Sequence, residues 1–360
     1  MGKNDSRFRT AYRTFYEQHG SADELLATAD RVCCARVPVH GALFGLSVGS
    51  KELLEILQTG HRALRGFMAA GHDPLRIELP PGEGVDLTHK GPASGFILTN
   101  PGDDGVACIL GLAPDLEYLW NEVRRYLRSW ISPLYLRTQE FRRSLLSLSG
   151  DARVKGFTAN VLWDDGQKVK TRREWFPVAK PVQEFFVELQ QERQWLRSIE
   201  FAVQEEDSRG TGRIRRDLSF SCDGGFAVYW RTALAGIRRT AAVSRGVFQE
   251  RGVACSPTHA ARPLQIAYST PVFDDKKQNY RLIKVLRGLT DSSLSVFHPN
   301  PFLHAAFMDY SDGSTYTIWV TDSSAIKIIP GIKASSRSLG KLCNHINEHF
   351  EEGCIEEIAL

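Results

Sequence analysis

Two strand-length runs of apolar residues, joined by a glycine-containing turn and followed by apolar positions at helical spacing, form a unit that recurs along the chain. Its first instance pairs residues 95–100 with 106–110 across a turn at 101–105. Leu116, Leu119, Trp120, Val123 and Leu127 then follow a helical period until Pro133 breaks it, and Phe141 and Leu145 resume it. In the second instance 157–163 and 168–171 flank Asp164-Asp165-Gly166, where glycine accepts the positive φ of a tight hairpin. After Pro181, one long helix is expected, its apolar face made by Phe185, Phe186, Leu189, Trp195, Leu196 and Ile199. The third instance sets 218–222 against a return strand at 226–230, with a basic helix behind it. The fourth joins 303–308 to 316–320 through Ser311-Asp312-Gly313-Ser314, then adds a strand at 326–329 and a last helix over 335–350.

Hairpins each followed by a helix predict an α+β fold, with antiparallel sheets covered by helices on one face. The 360 residues suffice for two such domains, and a break after Ser149-Gly150 gives 1–150 and 151–360. Residues 205–212 and 252–257, polar and rich in turn formers, read as linkers.

Composition narrows the class. With 42% hydrophobic and 24% charged residues the chain has the makeup of a protein with packed cores. No apolar run is long enough for a membrane-spanning helix, and the first residues lack the apolar stretch of a secretory signal. Seven scattered cysteines read as reduced thiols, which places the protein in the cytoplasm. Met1-Gly2 with Ser6 fits the N-myristoylation pattern. The net charge of +3 neither demands nor excludes an anionic partner, so clustering of charge matters more than its sum.

Four motifs invite a chemical reading. Gly45-Leu46-Ser47-Val48-Gly49 lies between a strand-like and a helical run, the setting in which a nucleophilic serine is presented above a helix N-terminus. With the Asp223-Gly224-Gly225 turn it forms a Ser47–Asp223 pair that resembles the patatin-like phospholipases. That resemblance implies acyl hydrolysis; it covers these two short motifs, and residues 1–44 lack the family's glycine-rich oxyanion segment. Gly49-Ser50-Lys51 has the small residues of a phosphate loop without its spacing. His345 and His349 share one helix face, near Cys343 and Cys354, but not in the order of a zinc protease. Prolines stiffen the loop His298-Pro299-Asn300-Pro301. None of these assigns a metal or a cofactor.

The remaining signal is basic. Lys168, Lys170 and Arg172 alternate along a strand, Arg173 follows, Arg215 and Arg216 close a second stretch, and Arg238 and Arg239 lie on the third helix. Such a surface tracks a chain of phosphates or carboxylates. The expected function is therefore a non-enzymatic binding protein for an anionic partner, either nucleic acid or an acidic protein. The alternatives are a serine hydrolase and a protein–protein interaction subunit.

Overall fold

The structure is a computed structural model that describes residues 3–60, 65–68, 74–79, 93–99, 105–113, 115–127, 130–164, 169–177, 182–192, 194–249 and 262–358. The chain divides into two compact units, Met1–Ala242 and Val243–Leu360.

The first unit begins with α1 (Lys3–Phe15), α2 (Ala22–Cys34), β1 (Val39–Leu46) and α3 (Ser50–Gly60). Strands β2 (Arg65–Met68), β3 (Leu75–Leu79), β4 (Ala93–Leu98) and β5 (Val106–Leu112) lead to α4 (Asp115–Tyr126), β6 (Ile131–Pro133) and α5 (Thr138–Leu148). Then come β7 (Val154–Asp164), β8 (Val169–Pro177), α6 (Val182–Gln191), β9 (Gln194–Glu205), β10 (Ser208–Arg215) and β11 (Ser219–Asp223). The short α7 (Phe226–Tyr229) passes through a π-helical turn, Trp230–Leu234, into α8 (Ala235–Gln249), within which the two units divide.

These strands form one antiparallel sheet in the order β2-β3-β4-β5-β1-β11-β10-β9-β7-β8, with β6 paired to β1. Strict alternation assigns its two faces. Val39 and Leu43 of β1, Cys108 and Leu110 of β5, Ile214 of β10 and Phe220 of β11 point into one core, shared with α1, α2, α5, α6, α7 and the start of α8. Ala42 and Phe44 of β1 and Ala107 and Ile109 of β5 point the other way, into a second core under α3 and α4. Each buried Leu or Phe stabilises by about 1.5–3 kcal/mol. The second core stops at β1, so the same face of β11, β10 and β9 carries Ser219, Ser221, Arg213, Arg215 and Glu200, none of them buried.

Several expectations change here. Strands on both sides of Gly150 share one sheet, β1 pairing with β11 and β7 with β9, so the first compact unit runs on to Ala242. The long helix after Pro181 ends at Gln191; Trp195, Leu196 and Ile199 lie on β9 between β7 and β10. The stretch 205–212 is a hairpin turn and strand rather than a linker. Its glycines serve close packing, because a Cβ on Gly212 would stand 2.1 Å from Tyr229 Cζ. Residues 226–230 turn into helix instead of a return strand. Gly225 takes φ +44°, and the Asp30 carboxylate accepts from the Ala227 N–H at 2.9 Å, a cap supplied from α2. The 252–257 linker and the turn 101–104 lie outside the described residues.

The second unit comprises β12 (Leu264–Ala267), α9 (Lys276–Arg287), β13 (Ser292–His298), β14 (Leu303–Asp309), β15 (Ser314–Asp322), β16 (Ala325–Pro330), α10 (Ser336–His349) and β17 (Cys354–Glu357). Its antiparallel sheet runs β13-β14-β15-β16-β12-β17, with Leu282, Leu286, Leu339, Leu342 and Ile346 of the two helices packed on one face. The α+β reading with antiparallel sheets holds in both units. Asp309 ties the β14–β15 turn to α10, accepting from Ser311 Oγ at 2.6 Å, Ser338 Oγ at 3.1 Å and Lys341 Nζ at 3.4 Å. The stiff 298–301 loop is held by the buried Asn279, whose amide reaches the carbonyls of Pro299 and Pro301 at 3.1 and 3.2 Å. Among the described residues, no helix is long and apolar enough to cross a membrane.

Candidate anion-binding cleft

Where the α4 layer ends over the first unit's sheet, a step of about 320 Å³ opens between the helix and strands β1, β11 and β10. The sequence of α4 builds one wall. Leu116, Leu119 and Val123 recur at helical spacing and bury against the sheet. The neighbouring stripe, Glu117, Trp120, Asn121 and Arg124, keeps the same period and lines the cleft. Asp115 starts the helix and accepts from Tyr12 Oη at 2.6 Å, fixing its N-terminal end.

The floor follows from strand alternation. Gly212 and Ile214 of β10 face the core, so Arg213 and Arg215 face out. The ladders align His40, Ser221, Arg213, Glu200 and Thr158 in one row across β1, β11, β10, β9 and β7. Four strand spacings make that row about 19 Å long. Arg213 pairs with Glu200 at 2.9 Å. Asp217 is engaged in the β10–β11 turn, accepting from Ser219 Oγ at 2.6 Å and from its N–H at 3.1 Å. Between them Leu218, fully buried, takes φ +59°, a left-handed conformation costly for a branched residue. Among the described residues Arg215 makes no ion pair, and Arg124 lies over the face of Trp120, 5.9 Å from the ring centroid. Burial pushes the His40 imidazole below its usual range, the neighbouring Arg215 adds to the shift, and Glu117 opposes it.

The basic residues named from sequence do not assemble on one surface. Arg215 lies in the cleft. Arg216, next in the chain, points to the opposite side, is only 5% exposed and stacks over Tyr135. Arg238 and Arg239 lie on α8, which packs through Ile237 and Ala241 on the sheet face away from Arg215. Lys168 lies outside the described residues, and of β8 only the backbone is described. By register, Arg173 stands opposite Asn160, in line with Ser198 and Arg215, while Lys170 and Arg172 stand opposite Trp163 and Val161.

Ser47 and Asp223 are not brought together either. Cys222 pairs with Val39, at the far end of β1 from Ser47. Eight residues at about 3.3 Å each separate the two positions by about 26 Å. The strand-turn-helix setting of Ser47 is present, but its Oγ donates to the Trp130 carbonyl at 2.9 Å. In the second unit, His345 Nε2 lies 2.8 Å from the Val285 carbonyl and Cys343 is buried in the core. No metal-holding cluster of His, Cys, Asp or Glu occurs among the described residues.

His40, Glu117, Trp120, Asn121 and Arg124 escape a reading based on runs of basic residues. Arg215 was named from its run of arginines; that it shares a face with Arg213 follows from alternation over 210–215, masked by the glycines that made 205–212 look like a linker. No protein-family model matches this chain, and no curated protein matches its sequence.

Proposed function

We propose that this protein is a non-enzymatic binding protein that takes an anionic partner, foremost nucleic acid, onto the open face of the first unit's sheet. The observation that carries the reading is the convergence of Arg215, Arg213 and Arg124 on one cleft, with Arg215 in no ion pair among the described residues, although Glu117 and Asp217 line the same cleft. Guanidinium groups bind phosphate through paired N–H donors, so a strand-mounted arginine beside a helix-mounted one suits a phosphate chain. The reading takes the protein to act in the cytoplasm, where Cys33, Cys34, Cys108, Cys222, Cys343 and Cys354 stay as free thiols.

Mobility-shift binding of single- and double-stranded DNA and RNA across a salt series tests this. The expected result is binding that weakens steeply with salt and drops at least tenfold in Arg124→Glu/Arg215→Glu. Binding unchanged in that variant would overturn it.

A protein-interaction reading has its own support in the second unit. Phe297, His304 and Trp319 stand in a row on the sheet face opposite α9 and α10, rings 5.0 and 5.6 Å apart, with Phe297 63% exposed. Exposed aromatic rows of this kind are typical partner contacts. Loss of a co-purifying partner in Phe297→Ala/Trp319→Ala would favour it over the anionic partner.

A further inference from the structure

A bare anion would use only part of the α4–β10 cleft. About 320 Å³ is at the lower end of small-molecule sites and larger than one phosphate needs. Its walls also differ in chemistry. His40, Arg213 and Arg215 lie on the strand side, with Asp217 at its turn, whereas Glu117, Trp120, Asn121 and Arg124 come from α4. A carboxylate and an amide beside an indole suit a body with N–H and O–H donors and a flat ring; the strand side suits a negative head. We propose that the cleft seats the phosphate of one nucleotide unit between Arg215 and His40, and that His40 takes up a proton when the phosphate arrives.

This inference rests on the anionic-partner reading and specifies its ligand. The charged groups around His40 decide the proton step. Arg213 and Arg215 come from β10, Asp217 from the β10–β11 turn, and Glu117 and Arg124 from α4; β11 contributes the neutral Ser219 and Ser221. Arg213 is paired with Glu200 and Asp217 is occupied by Ser219; burial is the first reason a proton stays off His40, and Arg215 is the cation whose repulsion adds to it. A phosphate on Arg215 cancels that repulsion and adds an acceptor for the imidazolium N–H. The protonated histidine is then favoured in the complex and disfavoured without it. Affinity must therefore rise as pH falls from about 8 towards 5.5, the range of histidine titration.

The nucleotide unit has two sources, a free nucleotide or a nucleic-acid strand, and calorimetry on the full chain separates them. A dinucleoside monophosphate carries a phosphodiester that does not titrate in this range, so any pH dependence belongs to the protein. A nucleoside 5′-monophosphate is the second probe. Proton uptake is read from the binding heat in two buffers of different ionisation enthalpy. The expected result is binding of at least one probe, tenfold or more weaker in Arg215→Ala, with a proton uptake near pH 6.5 that is larger by a fraction of a proton in the wild type than in His40→Gln. The monophosphate itself titrates at about pH 6, so its own contribution is the part that His40→Gln retains. Preference for the diester identifies a strand, and preference for the monophosphate a free nucleotide.

Equal affinity in Arg215→Ala, or the same proton uptake in His40→Gln as in the wild type, would overturn the inference. If long nucleic acids still bind in a salt-sensitive way in those variants, the inference alone fails. If no anionic probe binds at any salt, the anionic-partner reading fails with it.

Discussion

Arg216 lies over the ring of Tyr135, its guanidinium carbon 4.7 Å from the ring centroid, while its chain neighbour Arg215 faces the cleft on the other side of the sheet. One arginine is part of the interior and the other is available to a ligand, although sequence gives the two the same appearance. The pair therefore separates stability from binding. Arg216→Ala is expected to lower the free energy of unfolding by about 2 kcal/mol, through lost stacking and packing of the aliphatic stem. Arg215→Ala is expected to change it by less than about 0.5 kcal/mol. Urea unfolding of both variants checks this, and equal effects would contradict the assignment.

Gly212 faces the ring of fully buried Tyr229, and a Cβ there would lie 2.1 Å from ring carbon Cζ. Gly212→Ala must push the ring or the strand aside, at an expected cost of about 1–3 kcal/mol. Gly246, in α8, has nothing within 4 Å of the position its Cβ would take. Gly246→Ala should stabilise by up to about 1 kcal/mol through helix propensity. Thermal unfolding distinguishes the two signs.

Asp309 is 1% exposed and holds the β14–β15 turn against α10. Burial pushes its carboxyl up, but the bonds from Ser311 and Ser338 and the charge of Lys341 outweigh burial and hold it below the usual carboxylate range. A depressed folded value means that the stabilisation is complete above the unfolded value of about 3.9 and is lost as pH falls through the folded one. Melting curves between pH 6 and pH 2 should show this acid loss in the wild type. Asp309→Asn should be less stable by about 2 kcal/mol at pH 6 and lose less on acidification. Parallel profiles for the two proteins would remove Asp309 as the cause.

Ser47 donates to the Trp130 carbonyl, and its partner in the proposed dyad lies at the other end of β1. The folded protein is therefore expected to resist organophosphonate labelling. Ser47→Ala should cost about 1 kcal/mol, as for a lost turn hydrogen bond. Stoichiometric labelling at Ser47 would reopen the hydrolase reading.

Much of the fold was legible because its signals are local. The hairpins β4–β5, β7–β8 and β14–β15, the helices α4 and α10 and the strand β16 appear where alternation, turn residues and helical spacing place them. The errors have a common source. At 195–199 apolar residues fit either a helix or a strand, and only pairing with β7 and β10 decides for the strand. At 210–212 glycines normally weaken a strand, yet here the ring of Tyr229 and the Gly224 carbonyl occupy the space side chains would need. At 226–229 a cap from Asp30, nearly two hundred residues away, favours helix.

The candidate site divides along the same line. Sequence by itself determined that this is an α+β chain of antiparallel hairpins and helices with local clusters of arginine, because period, turn chemistry and composition act within a few residues. Only the tertiary structure decided which arginines share a surface. A strand turns successive side chains to opposite faces, so Arg215 and Arg216 part company, and strand order sets His40 of β1 and Arg124 of α4 beside Arg215 of β10. Those neighbours are set by hydrogen-bonded pairing between segments remote in the chain, which no local pattern encodes.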